Sequence, residues 1–181
     1  MQRLIHLNGP PGVGKSTIAR RYVDDHPGTL GLDIDVLRTL VGGWADDYAG
    51  AGALVRPVAL AAITAYLAQG QDVVLPQLIA RSSELARFRQ AAGAADYLHL
   101  VLTGPPEVLA QRFRGRPAGA DPHDLVPVTA RHVARHGADA ALRHYYDEVH
   151  ALAATDPTVR YVETIEGDVD RTYRAVCAVL G

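Results

Sequence analysis

The sequence predicts an α/β fold, a three-layer sandwich in which a parallel sheet carries helices on both faces. Three observations predict it. Short apolar runs alternate with longer stretches of helical spacing along all 181 residues. A Gly/Pro loop, Gly9-Pro-Pro-Gly-Val-Gly-Lys-Ser16, separates the first apolar run from the first helical stretch. Gly70 and Gly93 close helices and Pro105-Pro106 opens one, so the punctuation agrees with the periodicity.

Taken in order, strands are expected at about 2–8, 29–33, 72–76, 97–102 and 159–163. Helices are expected at about 15–25, 53–69, 82–93, 105–114, 127–153 and 168–180. Arg3-Leu-Ile-His-Leu7 is short and apolar enough for a buried strand, and the helix after the loop places Ile18, Ala19, Tyr22 and Val23 on one face. A short helix from Val36 to Val41 follows the second strand. The Gly/Ala-rich run 45–53 is too short for a linker and reads as a mobile connection near the site. No repeat or low-complexity segment interrupts the chain, so 1–181 reads as one domain.

Nearly half of the residues are apolar and the formal net charge is −2, which argues against disorder and against a strongly basic nucleic-acid surface. One cysteine, Cys177, excludes an internal disulfide framework, fits a reducing compartment, and sits in the apolar pattern of the last helix. No run of about 18 uninterrupted apolar residues is present and the chain opens directly on a strand, so a cytoplasmic protein without a membrane partner is expected.

Lys15 is the only lysine among 18 Lys and Arg residues, and it stands in a full match to the phosphate-binding template G-x-x-x-x-G-K-[ST]. Coding bias toward arginine explains the missing lysines but not the one that remains. Backbone N–H groups of Gly9, Pro11 to Gly14, Lys15, Ser16 and Thr17, apart from that of the proline, can turn around an anion, and the helix adds its positive end. A slim ammonium follows β- and γ-phosphates better than a planar guanidinium does. Candidate nucleotide-binding residues are therefore Gly9, Pro11, Gly12, Val13, Gly14, Lys15, Ser16 and Thr17.

In a parallel sheet the ligand sits beyond the carboxyl ends of the strands. The second strand ends in Asp33-Ile-Asp35-Val-Leu-Arg38. Asp35 can serve as the base for an acceptor hydroxyl, with Asp33 and Ser16 holding Mg²⁺ partly through water and Arg38 orienting the acceptor. Asp35 can equally cap the short helix with Asp33 as a solvated turn residue, and a cap also fixes a carboxylate's direction. The third strand ends at Pro76 where an acidic metal-directing residue could stand, which leaves the metal to Ser16, the Asp33/Asp35 pair and water. Gln77 and Arg81 follow as candidate acceptor contacts or as a plain surface loop. Arg112, Arg114 and Arg116 cannot share one helix face. They are either solvated or part of a lid over 114–127, with Arg112 against the base and Arg116 near the transferring phosphoryl group. Trp44 either walls the acceptor pocket or belongs to the core. His132 and His136 are i, i+4 neighbours without a matching carboxylate, which favours a solvated face over a metal site, and Tyr145 and Tyr146 read as packing.

Gly9 to Thr17, Asp33-x-Asp35-x-x-Arg38, the Arg112 to Arg116 segment and the closing Tyr161-Val-Glu-Thr…Asp168-Val-Asp together resemble the small P-loop kinases. The similar groups are chloramphenicol phosphotransferase-like proteins, polynucleotide 5'-hydroxyl kinases, zeta toxins and tunicamycin-resistance ATP-binding proteins. The resemblance implies a P-loop NTPase sheet of order 2-3-1-4-5, ATP and Mg²⁺, Lys15, Asp35 as base and Arg116 as the assisting lid arginine. Val-Val-Leu-Pro76 is similar to the tunicamycin-resistance proteins and departs from the polynucleotide kinases. The expected activity is transfer of the γ-phosphate to a hydroxyl of a small molecule of antibiotic, nucleoside or nucleotide-sugar type. A polynucleotide 5'-hydroxyl kinase and a protein that sequesters a ligand under ATP control are the alternatives. The only lysine being Lys15, an N-K-x-D guanine loop is excluded.

Overall fold

A computed structural model describes residues 1–119 and 123–181. The chain runs β1 (Arg3–Asn8), α1 (Lys15–Asp25), β2 (Leu30–Gly31), α2 (Ile34–Arg38), α3 (Tyr48–Leu67), β3 (Val73–Leu75), α4 (Ser82–Ala92), β4 (Asp96–Thr103), α5 (Pro106–Arg114), α6 (Leu125–Arg135), α7 (Asp139–Ala154), β5 (Arg160–Glu163) and α8 (Val169–Leu180). The five strands form one parallel sheet of order β2-β3-β1-β4-β5, the order the resemblance implies.

Alternation along β1 divides the core. Ile5 and Leu7 point to the face covered by α1 and α8, where Ile18, Tyr22, Tyr173 and Val176 pack. Leu4 points to the other face, covered by Val55, Ala59 and Ile63 of α3 and Leu85 and Phe88 of α4. Helix α3 reaches a mean hydropathy of 1.5 over its most apolar window, enough by length and composition to cross a membrane, yet its apolar stripe lies on the sheet.

Two expectations are corrected. The run 45–53 is not a mobile connection, because α3 begins at Tyr48, its end capped by Asp47 accepting from the Gly50 N–H at 2.9 Å. The long helix expected over 127–153 is two helices. After Arg135 the Gly137 N–H bonds the Ala134 carbonyl and the Ala138 N–H bonds that of Val133, a helix stop that needs the left-handed Gly137, φ 96°. The stop folds α6 back on α7, burying Val133 with Ala141, Leu142 and Phe113. Of the lid expected over 114–127, Arg114 belongs to α5 and Leu125 to Pro127 belong to α6, while residues 120–122 lie outside the described residues.

Ala138 has φ 49°, the sole described non-glycine residue with positive φ. Ala138→Gly is expected to remove this strain and stabilise the protein by about 1 kcal/mol, raising Tm by about 2–4 °C in a thermal melt.

Candidate functional site

The phosphate loop leaves β1 and enters α1 through Gly14, which caps the helix with no side-chain bond to its first-turn N–H groups. An uncapped helix start of this kind offers donors and a positive end to an anion. The Lys15 side chain curls back, its Nζ donating to the carbonyls of Gly9 at 2.7 Å and Pro10 at 3.0 Å. Burial pulls its pKa down from 10.5 to about 8, against the pull of Asp35 and Asp33.

This shift has a measurable sign. In the free protein the amine is partly neutral near pH 8, and a bound polyphosphate favours the charged form. ADP binding is therefore expected to take up about half a proton at pH 8 and almost none near pH 6. Calorimetric titrations in buffers of different ionisation enthalpy measure this uptake.

Ser16 Oγ donates to Asp33 Oδ2 at 2.8 Å, while Asp33 Oδ1 accepts from the Asp35 N–H at 2.9 Å. Asp33, not Asp35, is thus the cap of α2, and it is tied rather than solvated. Burial, then the neighbouring Asp35, pushes the Asp33 carboxyl up. Asp35 is left free of the cap. Its Oδ1 accepts from Tyr48 Oη at 3.0 Å and faces Arg38 Nε at 3.3 Å. Arg38 is buried, lies 3.9 Å over the Tyr48 ring and donates to the Tyr48 carbonyl at 3.2 Å. Gly52 of α3 makes room for it, since a Cβ there would stand 2.7 Å from the guanidinium carbon.

Apart from Asp33, which stands behind Ser16, these groups line one cavity of about 790 Å³. Pro11, Gly12, Gly14, Lys15, Ser16 and Thr17 form its floor, with Asp35, Arg38 and Tyr48 on one side. Gln77 and Arg81 stand on the wall beyond β3, together with an Arg56–Glu84 ion pair between α3 and α4. Gln77 is buried, and Arg81 is exposed at the start of α4. From the other side come His132, Tyr145 and Glu148. Arg116 also lines the cavity, lying 4.2 Å over the Phe113 ring and donating to Thr129 Oγ1 at 3.0 Å. Burial lowers its pKa.

A second cavity of about 240 Å³ adjoins the phosphate loop at Gly12, Val13 and Gly14 and reaches Thr164 to Thr172. Arg112 lines both cavities, its Nη1 donating to Thr164 Oγ1 at 3.4 Å. Gly9 lies at the mouth of the loop, its carbonyl holding Lys15. Trp44 is placed differently from the pocket-wall expectation. It is packed with Ala51 and Val128 behind Tyr48 and does not line the cavity. The bulky indole follows the apolar contact between the starts of α3 and α6, and the tyrosine four residues on takes the wall.

Tyr48, Arg56, Glu84 and Glu148 escape sequence reasoning; His132, expected on a solvated face, is half-buried in the cavity wall, and Tyr145 packs as expected while also lining the cavity. His132 packs 5.0 Å from the Tyr48 ring, and its pKa is lowered first by burial. Among the described residues no cluster of three or more His, Cys, Asp or Glu could hold a metal. The Ser16–Asp33 pair is a sparse, hard-oxygen set, which fits Mg²⁺ because that ion keeps most of its waters and leans on phosphate oxygens.

The sheet order and a glycine-rich phosphate loop after β1 define a P-loop NTPase-like α/β protein. Residues 4–140 match the AAA domain family, and the chain belongs to that family. No curated protein sequence matches the chain. A gluconokinase from Sinorhizobium meliloti is similar in structure, with a TM-score of 0.65 and 18% identity over 99% of this chain and 91% of that one. A tunicamycin resistance protein from Deinococcus radiodurans is similar with a TM-score of 0.60 and 17% identity, over 100% of this chain and 96% of that one. The second neighbour is, by name, of one of the groups that the motifs resemble.

Proposed function

We propose that the protein, as one kinase domain over 1–181, transfers the γ-phosphate of ATP to a hydroxyl of a small molecule. One observation carries this reading. Asp35, held by Tyr48 and Arg38, shares a cavity with Lys15, whose ammonium is parked on two carbonyls that a phosphate would replace. The gluconokinase and tunicamycin resistance neighbours support a small-molecule acceptor, for which Gln77, Arg81, Arg56 and Glu84 offer polar contacts.

In this reading Lys15 and the loop amides take the β- and γ-phosphates, and Arg112 lies against the base in the smaller cavity. Ser16, with Asp33 behind it, would hold Mg²⁺, which supplies charge neutralisation on the phosphates when bound. Arg38 and Tyr48 fix the direction of Asp35. The acceptor oxygen attacks the γ-phosphorus, the bond to the β-phosphate oxygen breaks, ADP leaves, and the acceptor proton passes to Asp35. Arg116, released from Thr129, neutralises charge on the transferring group. A cytoplasmic location, where ATP is at hand, belongs to the same reading.

The test is transfer of label from γ-labelled ATP with Mg²⁺ into antibiotics, sugars and sugar acids, nucleosides, nucleotide-sugars and a 5'-hydroxyl oligonucleotide. A labelled small molecule is the expected product. Label in the oligonucleotide alone would replace the acceptor class, and ATP binding without any product would remove the transfer step.

A further inference from the structure

Backbone pairing between β1 and β3 ends at His6 and Leu75, and the next N–H on that side, that of Gln77, turns back to the Leu75 carbonyl at 3.1 Å. The next residues form the acceptor wall of the cavity, and side chains of β1 hold them instead. His6 and Asn8 are two residues apart and point to the same face. The Gln77 carbonyl lies 2.8 Å from His6 Nε2, so that nitrogen carries the proton and Nδ1 accepts from Tyr97 Oη at 2.7 Å.

Asn8 does more. Its Oδ1 accepts from the Ile79 N–H at 3.0 Å and from the Gly9 N–H at 2.8 Å, while its Nδ2 donates to the Ile79 carbonyl at 2.8 Å. Two N–H donors on one atom and a carbonyl on the other fix the amide's orientation. The second Nδ2 hydrogen faces His99 Nε2 at 3.2 Å; burial lowers the His99 pKa to about 4, so the ring is neutral and Nε2 accepts with the proton on Nδ1, the nitrogen that faces Asp156. Asn8 is wholly buried and does not line the cavity. One planar carboxamide therefore satisfies both main-chain groups of Ile79 and the first amide of the phosphate loop, whose carbonyl in turn holds Lys15.

We propose that Asn8 is a positioning residue that sets the acceptor wall, Gln77 to Arg81, in register with the phosphate loop. It acts through Ile79 and Gly9 and touches neither substrate. The proposal rests on the phosphotransferase reading for its catalytic consequence, and its structural half stands independently. Without Asn8 the phosphate loop keeps its other supports, among them the Val13 N–H bond to the Pro10 carbonyl and the start of α1. Segment 77–81 keeps the His6 bond at Gln77 but loses both main-chain bonds at Ile79. The loss therefore falls on acceptor use rather than on nucleotide binding.

The experiment uses the full chain as wild type, Asn8→Asp and Asn8→Ala. Amide exchange of Ile79 is read by NMR, ADP affinity by calorimetry, and transfer kinetics with the acceptor found by the labelled panel. Asp keeps the two accepted N–H bonds but sets a carboxylate oxygen against the Ile79 carbonyl and His99 Nε2, so it is expected to loosen Ile79 at least as much as Ala does. Exchange at Ile79 should rise at least about tenfold in Asn8→Ala while β1 and β4 amides hold. The acceptor KM should rise about tenfold or more, with ADP affinity within about threefold of wild type. Wild-type exchange at Ile79 in Asn8→Ala, or an equal loss for ADP and acceptor, overturns the proposal. Should either variant fail to fold, the other decides by the same readings. Should the wild type bind ADP yet label nothing, the phosphotransferase reading fails, and the order of Ile79 exchange alone supports or overturns the tie between the two loops.

Discussion

Asp35→Asn is expected to slow phosphate transfer by about 10²–10⁴-fold while ADP affinity stays within a few fold. The substitution is nearly isosteric. Tyr48 Oη can still donate to the amide oxygen, and neither the phosphate loop nor the Ser16–Asp33 bond is touched. What disappears is the group able to take the acceptor proton, together with the charge facing Arg38 Nε at 3.3 Å. Arg38 is buried but keeps the Tyr48 ring and carbonyl, so the loss of its ion-pair partner lowers stability modestly and leaves the fold. Label transfer under saturating ATP, beside a thermal melt and an ADP titration, separates these effects. A loss of kcat at intact ADP affinity assigns the base. Retained turnover would reduce Asp35 to a fixture of the Arg38 ion pair and move proton transfer to solvent.

Which parts of this site are legible in the sequence follows from how local their causes are. Gly9 to Ser16 can be read directly because a phosphate loop is built from consecutive backbone groups, and the strand before it and the helix after it fall at Arg3–Asn8 and Lys15–Asp25. Asp33, Asp35 and Arg38 are equally local, although the division of labour between the carboxylates is not. Either aspartate is a good cap by type, and the choice of Asp33 depends on its bond to Ser16 across the sheet. The opposite wall is built from α3, α4, α6 and α7, so Arg56, Glu84, His132 and Tyr145 meet only after the chain has folded. Helix α3 hides its start because Gly50 and Gly52 weaken a helical reading, while the signal that mattered was the Asp47 cap. The break at Gly137 had a legible signal as well, a basic last turn followed by glycine, which the sustained apolar periodicity on either side masked. Asn8 gave no signal, since a polar residue ending a strand does not announce what its amide will hold.

The second large effect is expected from Lys15→Arg, which keeps the charge and is predicted to lower transfer by about 10²–10³-fold. A chain that uses arginine at all its other basic positions gives this substitution a clear meaning. The ammonium fits inside the curl of the loop, within 2.7 and 3.0 Å of two carbonyls that also mark the depth of the anion site. A guanidinium is planar and wider, and its fork prefers a fixed bidentate partner to a phosphoryl group that moves between two oxygens during transfer. The loop has little slack to accommodate it, because Gly12 packs against α5 so closely that a Cβ would lie 2.1 Å from the Leu109 carbonyl. Two measurements distinguish shape from charge. The variant should melt within a few degrees of wild type, and the proton uptake on ADP binding near pH 8 should vanish, since arginine stays protonated whatever its surroundings. Uptake that persists in Lys15→Arg would place the titrating group elsewhere in the cavity. Turnover within a few fold of wild type would mean that any cation suffices at this position, leaving the single lysine without a chemical reason.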